Sequence, residues 1–109
     1  METNEIIDVG SNGVHVTSHK GNIGHLMGAA GSVESAFVAL SLQKKILPST
    51  INLENCDDQM EINSKTKVTR DTVMISTETP KKRKLVLKNS FGFGGTNVSL
   101  LFGEFQPEC

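Results

Sequence analysis

The chain has 109 residues, 37% of them apolar, and a formal net charge of −1, which suits one small domain or a piece of a larger one and gives no overall field toward nucleic acid or an anionic membrane. No apolar run approaches the length of a membrane span. Cys56 and Cys109 form no disulfide framework and have no metal-ligand spacing with the three histidines, so neither a metal nor a cofactor is expected.

In chain order, the acidic start (Glu2, Glu5, Asp8) is unlike a mitochondrial transit peptide. Ile6-Ile7 and Val9 read as the end of a helix, closed by the turn signal Gly10-Ser11-Asn12-Gly13. Val14 and Val16 share one alternation and predict a short strand ending at Val16 or Thr17. A polar loop follows, carrying Lys20 and His25 among Gly21, Gly24, Gly28 and Gly31. Clustered glycines suit backbone that turns sharply or approaches a ligand closely. A lysine and a histidine on such a loop, ahead of a helix N-terminus, can meet developing negative charge; solvated loop residues are the plain alternative.

Met27 to Lys45 reads as a helix, apolar at Val33, Ala36, Phe37, Ala39, Leu40 and Leu42 and so expected to be buried on most sides. Lys44-Lys45 oppose its dipole, and Pro48 prevents its continuation. Ile51 to Asn55 reads as extended, and Cys56 to Lys67 as a polar segment. Thr72-Val73-Met74-Ile75 is a short strand candidate, and Lys81-Lys82-Arg83-Lys84 a solvated loop. Leu85-Val86-Leu87 reads as a buried strand, joined by a Gly-rich turn to a last strand from Asn97 to Phe105, which together make a hairpin. Asn97-Val98-Ser99 fits a glycosylation acceptor by chance. Gly92-Phe93-Gly94-Gly95 invites a nucleotide reading that fails: a strand rather than a helix follows, and the phosphate-cradling loop needs Gly-Lys-Ser/Thr.

Three segments carry a family resemblance. Ser18-x-Lys20-x-x-x-Gly24-His25, followed by Leu26-Met27-Gly28-Ala29-Ala30-Gly31, resembles the second active-site histidine segment of the β-ketoacyl-acyl-carrier-protein synthases, condensing enzymes of the thiolase fold. Leu47-Pro48-Ser49-Thr50-Ile51-Asn52-Leu53-Glu54-Asn55 and Asn89-Ser90-Phe91-Gly92-Phe93-Gly94-Gly95-Thr96-Asn97 are similar to two further landmarks, in family order. Against the family, the stretch from Cys56 to Lys88 looks longer by several residues, which suggests a surface loop.

The resemblance implies an α/β, thiolase-like fold, with residues 1–109 as the C-terminal part of one synthase domain: a mixed sheet with one buried helix. It implies decarboxylative Claisen condensation of an acyl thioester with malonyl on acyl carrier protein, in fatty acid biosynthesis. The implied partner is acyl carrier protein bearing acyl or malonyl phosphopantetheine. The intact enzyme would be a homodimer, without nucleic acid or membrane, in the cytoplasm or a mitochondrion.

Residue by residue, His25 matches the histidine that stabilises the enolate oxygen, its Nε2 protonated and its Nδ1 held by a backbone donor. Lys20 matches the active-site lysine, and Glu34 its acidic partner. Phe93 matches the residue whose backbone N–H completes an oxyanion hole and whose ring gates the acyl pocket, with Phe91, Gly92 and Gly94 in support. Core aromatics are the alternative for both rings.

The family's nucleophilic cysteine and first histidine belong to an earlier segment. Neither Cys56 nor Cys109 sits at a nucleophile motif, and His15 and His19 lie too close to Lys20 to be that histidine. The chain therefore looks truncated, the last quarter or so of a condensing enzyme, inactive and poorly folded alone. Residues 26–31 favour the stand-alone enzyme type. A ketosynthase fragment of a polyketide or multidomain fatty acid synthase is one alternative, and a non-catalytic fragment pairing with a full-length subunit is another.

Overall fold

The computed structural model describes residues 4–7, 14–56, 66–68, 73–74 and 84–107. Asn4–Ile7 form strand β1, not a helix end. Its β-branched Ile6-Ile7 suit a pleated surface, and β1 pairs antiparallel with both β2 (Val14–Thr17) and β6 (Leu85–Gly92). Both partners follow β1 in the chain, and β6 lies nearly eighty positions on, so that pairing is not visible in the local sequence. Val9 and the turn signal at 10–13 lie outside the described residues, as do Cys109, residues 81–83, and Thr72 and Ile75 of the strand candidate.

β2 is the strand expected at Val14–Thr17, and it pairs parallel with β4 (Thr66–Val68). β7 (Thr96–Gly103) lies antiparallel on β6 and ends the sheet, whose order is β4-β2-β1-β6-β7. The sheet is mixed, as expected. A separate antiparallel pair joins β3 (Ile46–Leu47) to β5 (Val73–Met74). β5 falls within the candidate strand; β3 was not anticipated.

The β6–β7 hairpin is longer than the sequence suggests. The strands run through most of the glycine motif, leaving only Phe93, Gly94 and Gly95 as the turn. Gly94 and Gly95 take φ of 98° and 88°, a region that glycine enters without the Cβ penalty. β7 stops at Gly103, two residues short of the expected end.

The polar loop holds one turn of helix, α1 (Lys20–Ile23). The main helix begins with a 3₁₀ turn at Met27–Ala29 and continues as α2 (Ala30–Lys44). Lys45 caps it in the left-handed conformation (φ 59°), donating its N–H to the Ser41 carbonyl, while its ammonium pairs with Glu104.

Burial of α2 runs along a single stripe, Ala30, Glu34, Val38, Ser41 and Leu42, at helical spacing. The expectation of a helix buried on most sides is corrected here: Leu40 is 50% exposed, because the described strands cover one face only. Val38 and Leu42 meet Leu47 and Val86 in a small core, with Phe102 packed against it. Each fully buried aliphatic side chain contributes about 1.5–3 kcal/mol, so this core docks α2 on β6 firmly.

Ile51 to Asn55 is not extended either. Ile51-Asn52 form a turn, with Asn52 at φ 66°. The segment before it is stitched to the end of β2: buried Thr17 donates its hydroxyl to the Pro48 carbonyl (2.9 Å), and Thr50 Oγ1 accepts the Ser18 N–H (3.2 Å). At Gly21 a Cβ would lie 2.5 Å from the Ile51 carbonyl oxygen, so this position has no room for a side chain.

Candidate functional site

Glu34 sits on the buried stripe of α2 and is 4% exposed. α1 brings Lys20 to it, and the two side chains form the expected ion pair through Glu34 Oε1. The other carboxylate oxygen faces a residue the sequence reading did not select. Lys88 of β6 is 1% exposed, and its ammonium lies 3.2 Å from Glu34 Oε2. The two are within ion-pair range but out of hydrogen-bond alignment, since Oε2 accepts no hydrogen bond. Lys88 Nζ instead donates to Ser90 Oγ. One buried carboxylate thus stands between two ammonium groups, the kind of pairing without which buried charge is costly.

His19 lies beside this cluster, buried and stacked on Phe37 with ring centroids 4.8 Å apart. Burial is the largest influence and pulls its imidazole below the ordinary value of 6.5; the Glu34 carboxylate opposes that, and the Lys20 ammonium adds to it.

Next to the cluster opens a cleft of about 480 Å³. His25, Gly28 and Gly31 line one side, and Ser90, Phe91, Gly92 and Phe93 line the β6–β7 side. Lys20 and Glu34 are not part of the lining. Gly31 joins the two regions, since a Cβ there would sit 3.9 Å from Lys88 Nζ and 4.0 Å from Ser90 Oγ.

His25 is exposed, and its Nδ1 accepts the Met27 backbone N–H at 3.0 Å. A neutral imidazole whose Nδ1 accepts must carry its proton on Nε2, so the ring offers a donor. Met27 adopts φ 50° immediately after the glycine-rich bend, which presents its N–H to the ring.

Phe93 and Phe91 border the same cleft as His25, but the Phe93 ring is fully exposed and the Phe91 ring half-exposed. Gly94 contributes its left-handed turn rather than a contact; a Cβ at Gly92 would meet Thr96 at an ordinary 3.6 Å. Across the hairpin, Ser99 Oγ donates to Asn89 Oδ1 (2.6 Å) and fixes the strand register next to the motif.

A strand confined to Leu85-Val86-Leu87 leaves out Lys88 and Ser90. Period-2 alternation puts Val86, Lys88 and Ser90 on one face, so a lysine in phase with a buried valine was the available signal. Cys56 is half-buried and lies outside the cleft. Among the described residues no group of three or more His, Cys, Asp or Glu could hold a metal, and no helix is long and apolar enough to cross a membrane.

Comparison with known proteins adds kinship to this geometry. The family model of the β-ketoacyl synthase C-terminal domain matches residues 2–54. The chain is 42% identical over 92 residues to the putative mitochondrial 3-oxoacyl-[acyl-carrier-protein] synthase of Schizosaccharomyces pombe, covering 83% of the chain and 20% of that protein. It is 43% identical over 95 residues to a 3-oxoacyl-[acyl-carrier-protein] synthase homolog of Saccharomyces cerevisiae, covering 85% of the chain and 20% of the relative. The 3-oxoacyl-[acyl-carrier-protein] synthase 2 of Vibrio harveyi is 43% identical over 93 residues, with 85% and 20% covered. The chain therefore spans about a fifth of the length of these relatives. The matched domain has the thiolase-like fold, and the small mixed arrangement of helix and strands agrees with it. No solved structure matches the chain.

Proposed function

We propose that this chain, a relative of the β-ketoacyl synthases through their C-terminal domain, supplies the enolate-stabilising part of a 3-oxoacyl-[acyl-carrier-protein] synthase of fatty acid biosynthesis, in the cytoplasm or a mitochondrion. Malonyl carried on acyl carrier protein loses carbon dioxide, and the electron pair of the broken bond passes into a thioester enolate. The enolate carbon attacks an acyl thioester held on a cysteine, and the cysteine thiolate leaves. Negative charge gathers on a thioester oxygen in each step, so preset donors lower both barriers.

His25 Nε2–H is the donor to the enolate oxygen, and the Phe93 backbone N–H, held by the glycine turn, is the donor to the second oxyanion. Lys20 and Glu34 fix the loop that carries His25. The cysteine that holds the acyl group comes from outside these 109 residues. The observation that carries this reading is the 3.0 Å bond from the Met27 N–H to His25 Nδ1, which leaves Nε2 as the donor of a ring that lines the cleft shared with Phe93.

The test is a titration of the chain with malonyl-pantetheine, followed by NMR of its labelled histidine ring carbons. The His25 signals are expected to shift with saturation, and His25→Ala, which removes the donor, to weaken binding severalfold, the loss of one hydrogen bond to a thioester oxygen. Equal binding by both proteins would reject the reading.

The exposed apolar residues Leu40, Phe93, Leu101 and Phe105 support a second, compatible reading, in which a larger synthase chain covers this surface. Concentration-dependent sizing of the chain, with and without a full-length synthase, checks it; a monomer indifferent to the added synthase would exclude it.

A further inference from the structure

Lys88 is the most deeply buried cation among the described residues, yet its Nζ donates to Ser90, a residue of the cleft wall. It shares the face of β6 with Ser90, two residues on, and Ser90 is part of the cleft wall. An ammonium has only donors to offer, so in the Lys88–Ser90 bond the serine oxygen is the acceptor. A hydroxyl whose oxygen is engaged by a cation has its proton left for another partner, and the cation polarises that O–H. Glu34 Oε2 lies 3.2 Å from Nζ, and Gly31 of the cleft wall borders both groups, since a Cβ there would sit 3.9 Å from Nζ and 4.0 Å from Oγ.

We propose that Lys88 is a positioning residue that commits the Ser90 hydroxyl to donating into the cleft, so that Ser90 joins His25 in binding a thioester or carboxylate oxygen. This rests on the reading of the cleft as a malonyl-thioester site and adds two residues to it. Lys88 touches no substrate; it acts through Ser90.

Two measurements on the full 109-residue chain test the relay. The first needs no ligand. With selectively labelled lysine, the Lys88 ammonium signal is expected to show slow proton exchange, and Ser90→Ala to shift that signal and accelerate exchange at least severalfold. An unchanged Lys88 signal would overturn the relay directly.

The second is a titration with malonyl-pantetheine. Ser90→Ala and Lys88→Met are each expected to weaken binding about tenfold, and the double variant no further than either alone, because the two act as one unit. Ser90→Thr, which retains the hydroxyl, should bind within about twofold of the parent, a rescue that a merely structural role for the side chain would not produce. Losses that multiply in the double variant, or Ser90→Ala binding as tightly as the parent, would overturn the proposal. Because Lys88→Met disturbs a buried ion pair, Ser90→Ala alone decides if that variant fails to fold. Loss of binding in His25→Ala with normal binding in Ser90→Ala would leave the functional reading standing and remove only the relay. Normal binding in His25→Ala would remove the functional reading, while the ligand-free exchange measurement still decides the Lys88–Ser90 bond.

Discussion

Strand β6 contributes to two unlike regions. In its first half, Val86 and Lys88 are buried against α2 by hydrophobic contact and opposite charge. Its last residues, Phe91 and Gly92, and the turn at Phe93–Gly95 stand exposed, held by backbone pairing with β7 and by the Ser99–Asn89 bond. The charged region is complete within the chain: a cation without its carboxylate, or the reverse, would be costly there. The aromatic region is shaped by main-chain conformation and that one side-chain bond, and its rings rest on no described core. Side-chain chemistry thus sets the strength of the first region, and backbone geometry that of the second.

The largest expected effect breaks the first region. Glu34→Gln leaves the Lys20 and Lys88 ammonium groups facing a neutral amide, a change costing about 3–5 kcal/mol when such pairs are broken. Denaturant unfolding measures it, and a loss below about 1 kcal/mol would show the cluster to be solvated after all. A cycle with Lys20→Met should return a coupling energy within about 0.5–3 kcal/mol.

A smaller effect sharpens the contrast at the tip. Gly94→Ala places an L side chain at φ 98°, at a cost of about 1–2 kcal/mol, whereas Phe93→Ala should leave the unfolding midpoint unchanged. The reverse ranking would mean that the ring, not the backbone, organises the turn.

The smallest effect concerns pH. His19 titrates below 6.5 in the folded chain, so the unfolded chain binds the extra proton first. Stability is therefore full above the ordinary histidine range and declines as pH falls through 6.5 toward the folded value. His19→Gln should flatten that part of the stability curve; an unaltered slope would mean that other groups produce it.

Much of this was legible in residue order. The Val14–Val16 alternation, the hairpin around the glycine motif and the break at Pro48 each follow from local rules, and the structure contains them. The Lys20–Glu34 pairing was expected from resemblance, and the helix turn brings the two together. What stayed hidden depends on distant partners. Ile6-Ile7 became a strand because β6, nearly eighty positions on, pairs with it. Ile46-Leu47 became one through β5. The outer side of α2 stayed open because apolar composition states what a helix needs covered, not what is there to cover it. Lys88 was missed because a lysine ending an apolar run reads as a solvated boundary unless its phase with Val86 is followed.

The stitch between Thr17 and Pro48 carries a kinetic consequence. It closes a loop of 31 residues, and Gly21 can settle against Ile51 only once that loop is shut. Closing such a loop has an entropic cost that local contacts do not carry. The helix and the hairpin, made of neighbours in sequence, can assemble early, whereas Gly21 reaches Ile51 only after two distant segments have met. That seat is thus a late event in folding, and a fluorescent reporter on α1 should register later than one on the hairpin.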